Sequence, residues 1–332
     1  MPNAFPSLIG IDLPIVQAPM GSATCPALAA AVSNAGALGM LALGWMELDE
    51  MRASIRATRA LTDRPFGVNL VLTEPQEDRV ALCVEEGVPV ISFFWGRAGE
   101  ALTAAARRGG GKVLHTVGSD EEARRVVGDG ADVVVAQGLE AGGHVWGTVS
   151  TLALVPVVVD AVGSVPVVAA GGLADGRGLA AVMALGAAGG WIGTRFLASH
   201  EAAIHPRYRE HLLAARATDT EYGTLFDVGW PDAPHRFLRN STVEAWEAAG
   251  RPPAGRRPGE GQVLGRDRTG DVVRYQSGTP HASFEGEVEP LSLWAGQGVG
   301  LVRRVQPAAE IVREIVDEAE AVLTGLASKV RG

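Results

Sequence analysis

The sequence predicts an α/β protein built as a closed eight-stranded parallel barrel, the (β/α)8 or TIM-barrel architecture, with an aromatic-rich insertion near the C-terminus. Three observations lead there. A short β-branched run, a turn of small residues and an Ala-rich amphipathic segment recur in that order along the chain, which is the βαβα alternation of a parallel sheet. About eight such runs can be counted, favouring a closed barrel over an open doubly wound sheet. The 332-residue length suits one large barrel with an elaboration rather than two independent domains.

The expected strands are Ile15–Ala18, Leu38–Leu41, Phe66–Leu70, Val90–Phe94, Lys112–Thr116, Asp132–Ala136, Val167–Ala170 and Gly190–Gly193. Helix signals fall between them. Pro26 opens Ala27–Ala35 before the Gly36 stop, Ser119 precedes an acidic first turn, and Asp175 precedes Gly178–Leu185 before Gly186. A short helical run, Arg195–Ser199, follows the eighth strand. The last helix, Pro307 to Leu326, places Ile311, Ile315, Ala319, Val322 and Leu323 on one face to clasp the barrel exterior.

The rhythm fails between Glu221 and Trp294. This stretch holds Tyr222, Phe226, Trp230, Phe237, Trp246, Tyr275, Phe284 and Trp294, a large share of the chain's 7 Trp, 3 Tyr and 8 Phe, together with a hairpin signal at Asp267–Gly270. A structureless loop of that length is improbable in a compact domain. Two readings stay open: a lid over one barrel mouth, or an arm for contact between copies in a homo-oligomer. The expected division is a barrel at 1–220, an insertion at 221–294 and a C-terminal segment at 295–332.

Composition excludes several classes. The net charge of −9 repels phosphate backbones and anionic membranes, so neither nucleic acid nor membrane is an expected partner. Two Ala/Gly/Leu-rich stretches, Pro26–Met46 and Gly178–Ala198, are interrupted by polar residues and glycines and read as helix plus buried strand rather than membrane spans. The chain's 2 cysteines cannot form a disulfide framework, and the N-terminus lacks the pattern of an export signal, so a cytoplasmic protein is expected. His200, His205 and His211, with Glu201 and Glu210 in the same expected helical stretch, match no metal-ligand spacing and read as a solvated face. No metal site is expected.

In such barrels the loops after the strands carry the chemistry, and phosphate is commonly held after strands seven and eight. Gly171-Gly172 and Gly193-Thr194 stand there, and glycines let backbone N–H groups approach phosphate oxygens. No G-x-G-x-x-G follows an early strand, so a mononucleotide such as FMN is favoured over a Rossmann-bound dinucleotide. The richest segment is Gln137-Gly138-Leu139-Glu140-Ala141-Gly142-Gly143-His144, directly after the sixth strand. His144 there can act as a base or hydrogen-bond donor at a substrate; it can equally cap its own loop. Arg177 serves either a phosphate or the helix below it, and Trp146 either a pocket wall or packing.

Gln17-Ala18-Pro19-Met20, AAAVSNAGAL at 29–38, Phe66-Gly67-Val68-Asn69-Leu70, QGLEAGGH at 137–144, AAGGLADGRG at 169–178, GTRFLAS at 193–199 and Trp294-Ala295-Gly296-Gln297 together resemble the nitronate monooxygenase (2-nitropropane dioxygenase) family. That family shares its barrel with FMN-dependent enoyl-acyl-carrier-protein reductases and NAD(P)H:quinone reductases. The resemblance implies FMN as cofactor and His144 as the catalytic histidine. It implies Ala18, Met20 and Asn69 beside the flavin, Gln137 and Gly142 at its border, and Gly171, Gly172, Gly193 and Thr194 around its phosphate. It further implies a small-molecule substrate, with O2 or another acceptor, and NAD(P)H as the co-substrate in the alternative, reductase reading. Two places depart from the pattern: Gly21-Ser22-Ala23-Thr24-Cys25 after Met20, and His115-Thr116 at the end of the fifth strand.

Overall fold

The computed structural model describes residues 4–329. Eight parallel strands form the barrel: β1 (Ile15–Gln17), β2 (Gly39–Ala42), β3 (Phe66–Val71), β4 (Val90–Phe94), β5 (Lys112–Val117), β6 (Val133–Gln137), β7 (Val167–Ala170) and β8 (Gly189–Ile192). Each pairs with its sequence neighbour from β2 to β8, and β8 pairs with β1. The ring closes between β1 and Leu38, which donates to the Ile15 carbonyl at 2.9 Å and accepts from the Gln17 N–H at 2.9 Å. All eight strands lie within a residue or so of the sequence expectation.

The strand pleat, with its period of two, decides what reaches the site. Val16, Met40, Leu114, Val133, Val135, Val168, Ala170 and Trp191 fill the barrel interior, joined at the lower mouth by Phe5 and Ile9 of helix Ala4–Ile9. The alternate residues, among them Leu41, Val68, Ile91, Val134 and Ala169, point outward beneath the helices. Continuing the inward rows upward leads to Ala18, Ala42, Asn69, Thr116, Gln137 and Gly193, the ring on which the site is built.

Local signals explain the helix starts. Ser119 accepts from Glu122 N–H at 3.2 Å, and Asp175 from Gly178 N–H at 3.2 Å, each capping its helix. Helix Ala308–Lys329 packs against Gly176–Ala184 and against Pro26–Asn34, taking the eighth place in the outer ring. A Cβ on Gly176 would meet Ile315 O at 2.4 Å, so this close crossing depends on a bare backbone. Ile311, Ile315 and Ala319 are buried there. Leu323 is not: it is 36% exposed, while Val322 beside it packs against the core.

Between β8 and this last helix the chain makes two small antiparallel sheets. One joins Thr220–Gly223, His235–Leu238 and Gly143–His144; the other joins Val263–Asp267, Gly270–Val273 and Glu285–Gly286, with the hairpin turn at Arg268-Thr269. The three histidines expected on one helix are divided. The helix is Pro206–Ala214, His205 is its N-cap and accepts from Arg207 N–H, and His200 lies before it, since Pro206 sets the helix start.

Candidate active site

The upper mouth of the barrel holds a cavity of about 560 Å³. The ten residues that the family resemblance implies for catalysis and flavin binding all line it: Ala18, Met20, Asn69, Gln137, Gly142, His144, Gly171, Gly172, Gly193 and Thr194. The segment between 221 and 294 contributes Trp230, Asp267, Thr269, Ser277 and Trp294 to its lining. No Lys or Arg appears among the described residues that line it.

The glycines have structural reasons to be there. Gly171 has φ +107° and Gly172 φ +74°, and a Cβ on Gly171 would lie 2.9 Å from Gly138 O. The N–H groups of Gly172 and Gly193 have no acceptor among the described residues. Thr194 Oγ1 accepts from Gly296 N–H at 3.0 Å, tying the β8 loop to the C-terminal segment. Gly142 permits another close crossing, since a Cβ would meet Gly296 N at 2.3 Å.

Polar groups divide into those spent on structure and those free for a ligand. Ser92 Oγ donates to Asn69 Oδ1 at 2.7 Å, and this leaves the Asn69 Nδ2 donor without an acceptor among the described residues. The Gln137 amide is occupied: it donates to His144 O at 3.1 Å and accepts from Trp146 N–H at 2.9 Å. At the departure after Met20, Gly21–Ala23 makes one 3-10 turn, closed by Thr24 Oγ1 accepting from Met20 N–H at 2.8 Å. Gly21 and Ser22 still line the cavity.

His115 is not a cavity group. It falls on the outward row of β5, where Nε2 accepts from Ala98 N–H at 3.2 Å and the Nδ1 side meets Thr116 O at 3.1 Å. Burial lowers its pKa to about 4. Thr116, on the inward row, lines the cavity instead. Arg177 is held by Asp175 and lies 3.6 Å from Glu318, on the exterior of the barrel. Trp146 donates from Nε1 to Glu122 at 2.9 Å and packs on Trp95, a buttress behind the cavity wall.

His144 sits in an aromatic enclosure that the sequence reading missed. Its ring stacks on Trp230 with centroids 3.8 Å apart and planes 27° from parallel, and Trp95 and Trp294 approach at 5.6 Å and 5.5 Å. Trp45 meets Trp230 edge-on at 5.4 Å. Trp95 adopts φ +66°, a strained position for a bulky residue and one that clusters at functional sites. Burial, with a smaller effect of His235, pushes the His144 pKa down to about 3, so the imidazole is neutral at ordinary pH. The cavity lining as a whole offers hydroxyls and amides, with Asp267 its charged residue among the described residues.

A neutral histidine at the C-terminal mouth of a parallel barrel, beside unpartnered glycine N–H groups, defines a barrel enzyme of small molecules. Comparison with known proteins narrows the class. The family model described as nitronate monooxygenase matches residues 3–80 and 72–318. A nitronate monooxygenase of Pseudomonas aeruginosa is 34% identical, over 96% of this chain and 99% of that one. A Mycobacterium tuberculosis protein named (3aS,4S,5R,7aS)-5-hydroxy-7a-methyl-1-oxo-octahydro-1H-indene-4-carboxyl-CoA dehydrogenase is 36% identical, over 94% of each chain. Among solved structures, FabK from Thermotoga maritima superposes with a TM-score of 0.80 at 34% identity, covering 98% of both chains. The chain belongs to the nitronate monooxygenase family and is an oxidoreductase of that family. No helix among the described residues is long and apolar enough to cross a membrane.

Proposed function

We propose that the protein is an FMN-dependent nitronate monooxygenase of the cytoplasm, converting an alkyl nitronate and O2 to a carbonyl compound and nitrite. The observation that carries this reading is the convergence of ten motif residues from distant parts of the chain on one cavity. The cavity volume falls within the range of roughly 300–1,000 Å³ usual for cofactor sites. Its residues fit the flavin. The N–H groups of Gly172 and Gly193 are available to phosphate, with Gly171 and Thr194 completing the cradle. The small wall of Ala18, Met20 and Gly142 leaves room for a flat ring, which Asn69 Nδ2 can meet with a hydrogen bond. When bound, FMN supplies an electron acceptor that can in turn be reoxidised by O2.

The chain supplies binding and proton handling. A nitronate spreads its charge over two oxygens, and neutral donors such as the Ser277 hydroxyl suit it without a full cation. From a neutral nitroalkane His144 first removes the α-proton, which its uncharged imidazole can accept. The segment 221–294 acts as the lid of a barrel spanning 1–220, with 295–332 returning to the barrel wall.

A second reading is a reductase or dehydrogenase acting on a thioester or quinone, with NAD(P)H as electron donor. It is favoured by the resemblance to the mycobacterial indene-carboxyl-CoA dehydrogenase and to FabK. An anaerobic absorbance titration separates the two. Bleaching of bound flavin by propionate 3-nitronate, with NADH and NADPH inert, supports the monooxygenase; bleaching by nicotinamide alone supports the reductase. A protein that takes up no FMN overturns both.

A further inference from the structure

The two buried histidines, His115 and His235, and the half-buried His144 are held in two different ways. His115 and His235 are pinned at both ring nitrogens. His115 uses Thr116 O at 3.1 Å and Ala98 N–H at 3.2 Å; His235 uses Ala233 O at 2.8 Å and Phe226 N–H at 3.1 Å. His144 has no such anchor. Its Nδ1 has no hydrogen-bond partner among the described residues, and Nε2 meets only Ser277 Oγ, at a long 3.4 Å. Histidines that move protons ordinarily owe their ring orientation to a hydrogen bond at the second nitrogen.

We propose that Trp230 is a positioning residue for His144: its indole face fixes the plane of the imidazole and seals one side of the ring from water. The inference rests on the reading of His144 as the group that meets substrate. Trp230 lies 3.8 Å from His144 at 27°, a stacked contact, while the edges of Trp95 and Trp294 limit rotation from other sides. Proton transfer at an imidazole occurs in the ring plane, so a covered face leaves Nε2 open toward Ser277 and the cavity. Trp230 is itself held by rings, with Trp45 at 5.4 Å and Trp95 at 4.9 Å, and its indole N–H has no acceptor among the described residues. Trp146, by contrast, is tied to Glu122.

The electrostatic surroundings allow this assignment to be tested by titration. His235 faces His144 from the adjoining strand, with ring centroids 5.5 Å apart, and Ser277 from the 270s segment, while Asp267 is the charged residue of the cavity lining. Behind them, Glu122 bonds Trp146, and Asp227 pairs with Arg257. None of these carboxylates hydrogen-bonds the His144 ring.

The experiment compares flavin-loaded wild type, Trp230→Ala and Trp230→Phe by NMR titration of His144 and by its rate of carbethoxylation, located by mass spectrometry. Trp230→Ala should move the His144 titration up toward the ordinary value of about 6.5 and speed its modification. Trp230→Phe, which keeps a flat apolar face, should stay close to wild type. On a neutral nitroalkane, Trp230→Ala should lose about a hundredfold in kcat, the lower end of what a positioned base contributes, with KM little changed and most activity restored by Phe. Titration and modification rates unchanged in Trp230→Ala, or a Phe variant that behaves like Ala, overturn the proposal. Should the Ala variant fail to fold, Trp230→Leu fills the space without a flat face and must still shift the titration. Neither His144 readout needs a substrate. A shifted titration in a protein that turns over no nitronate therefore upholds the positioning role and removes only the proposed reaction.

Discussion

The Gln137 side chain reaches across the loop it precedes and donates to the carbonyl oxygen of His144 at 3.1 Å. Its other amide atom accepts from Trp146 N–H at 2.9 Å, so one side chain clamps the backbone on both sides of Val145, directly after the histidine. Gln137→Leu keeps the volume and removes both bonds. At about 1 kcal/mol for each bond the variant should lose about 2 kcal/mol of stability, read as a lower urea midpoint with unchanged slope, together with a fall in kcat. A wild-type midpoint and kcat would show the clamp to be idle.

Replacing the imidazole should separate proton removal from the later chemistry. His144→Asn should slow nitrite release from a neutral nitroalkane by about 10²–10⁴-fold, the usual contribution of a placed base, and slow release from the preformed nitronate far less. Steady-state nitrite assays on the two forms of one nitro compound, with flavin content measured in parallel, provide the check. Equal losses on both forms would remove the base role.

Gly171 should be intolerant of a side chain. Its φ of +107° and a Cβ position 2.9 Å from Gly138 O mean that Gly171→Ala must strain or displace the β7 loop, at a cost of about 1–3 kcal/mol for the backbone alone. The expected result is a folded protein by circular dichroism that retains less FMN after gel filtration. Full flavin retention would place the phosphate elsewhere.

The buried histidines predict how stability depends on pH. His115 and His235 are both depressed to about 4, chiefly by burial, from an unfolded value near 6.5. Between those limits the unfolded chain binds protons that the folded one refuses. Their stabilisation is therefore complete above about pH 6.5 and is lost as pH falls toward 4. The slope approaches about 1.4 kcal/mol per pH unit for each histidine. Urea midpoints from pH 7.5 to 4.5 test this, and His115→Gln should flatten the curve. Activity should behave differently: with His144 near 3, its protonation removes no base until pH approaches that value.

Much of the barrel was legible because its signals are local. Val133–Gln137 and Val167–Ala170 read as buried strands from β-branched composition, and the glycines after them mark where the backbone must turn tightly. Ser119 and Asp175 announced their helices by cap chemistry alone. The aromatic enclosure was not legible. Trp45, Trp95, Trp230 and Trp294 stand on four separate segments, and only barrel closure brings them together. His115 shows a finer difficulty: whether it faces in or out depends on strand parity, which a shift of one residue reverses. The partition of polar groups, with Gln137 committed to the backbone and Asn69 left free, rests on distances that a linear pattern does not encode.

The pairing of Gly143–His144 with His235-Arg236 places the histidine on the edge strand of a three-stranded sheet whose other strands are His235–Leu238 and Thr220–Gly223. Sheet and histidine are thus one mechanical piece. Lifting that sheet from the barrel would pull the 143–144 backbone out of place, so a displaced sheet would also displace the histidine. Hydrogen exchange at the Val145 amide, bonded to Pro234 O at 2.9 Å, would report both events with a single rate.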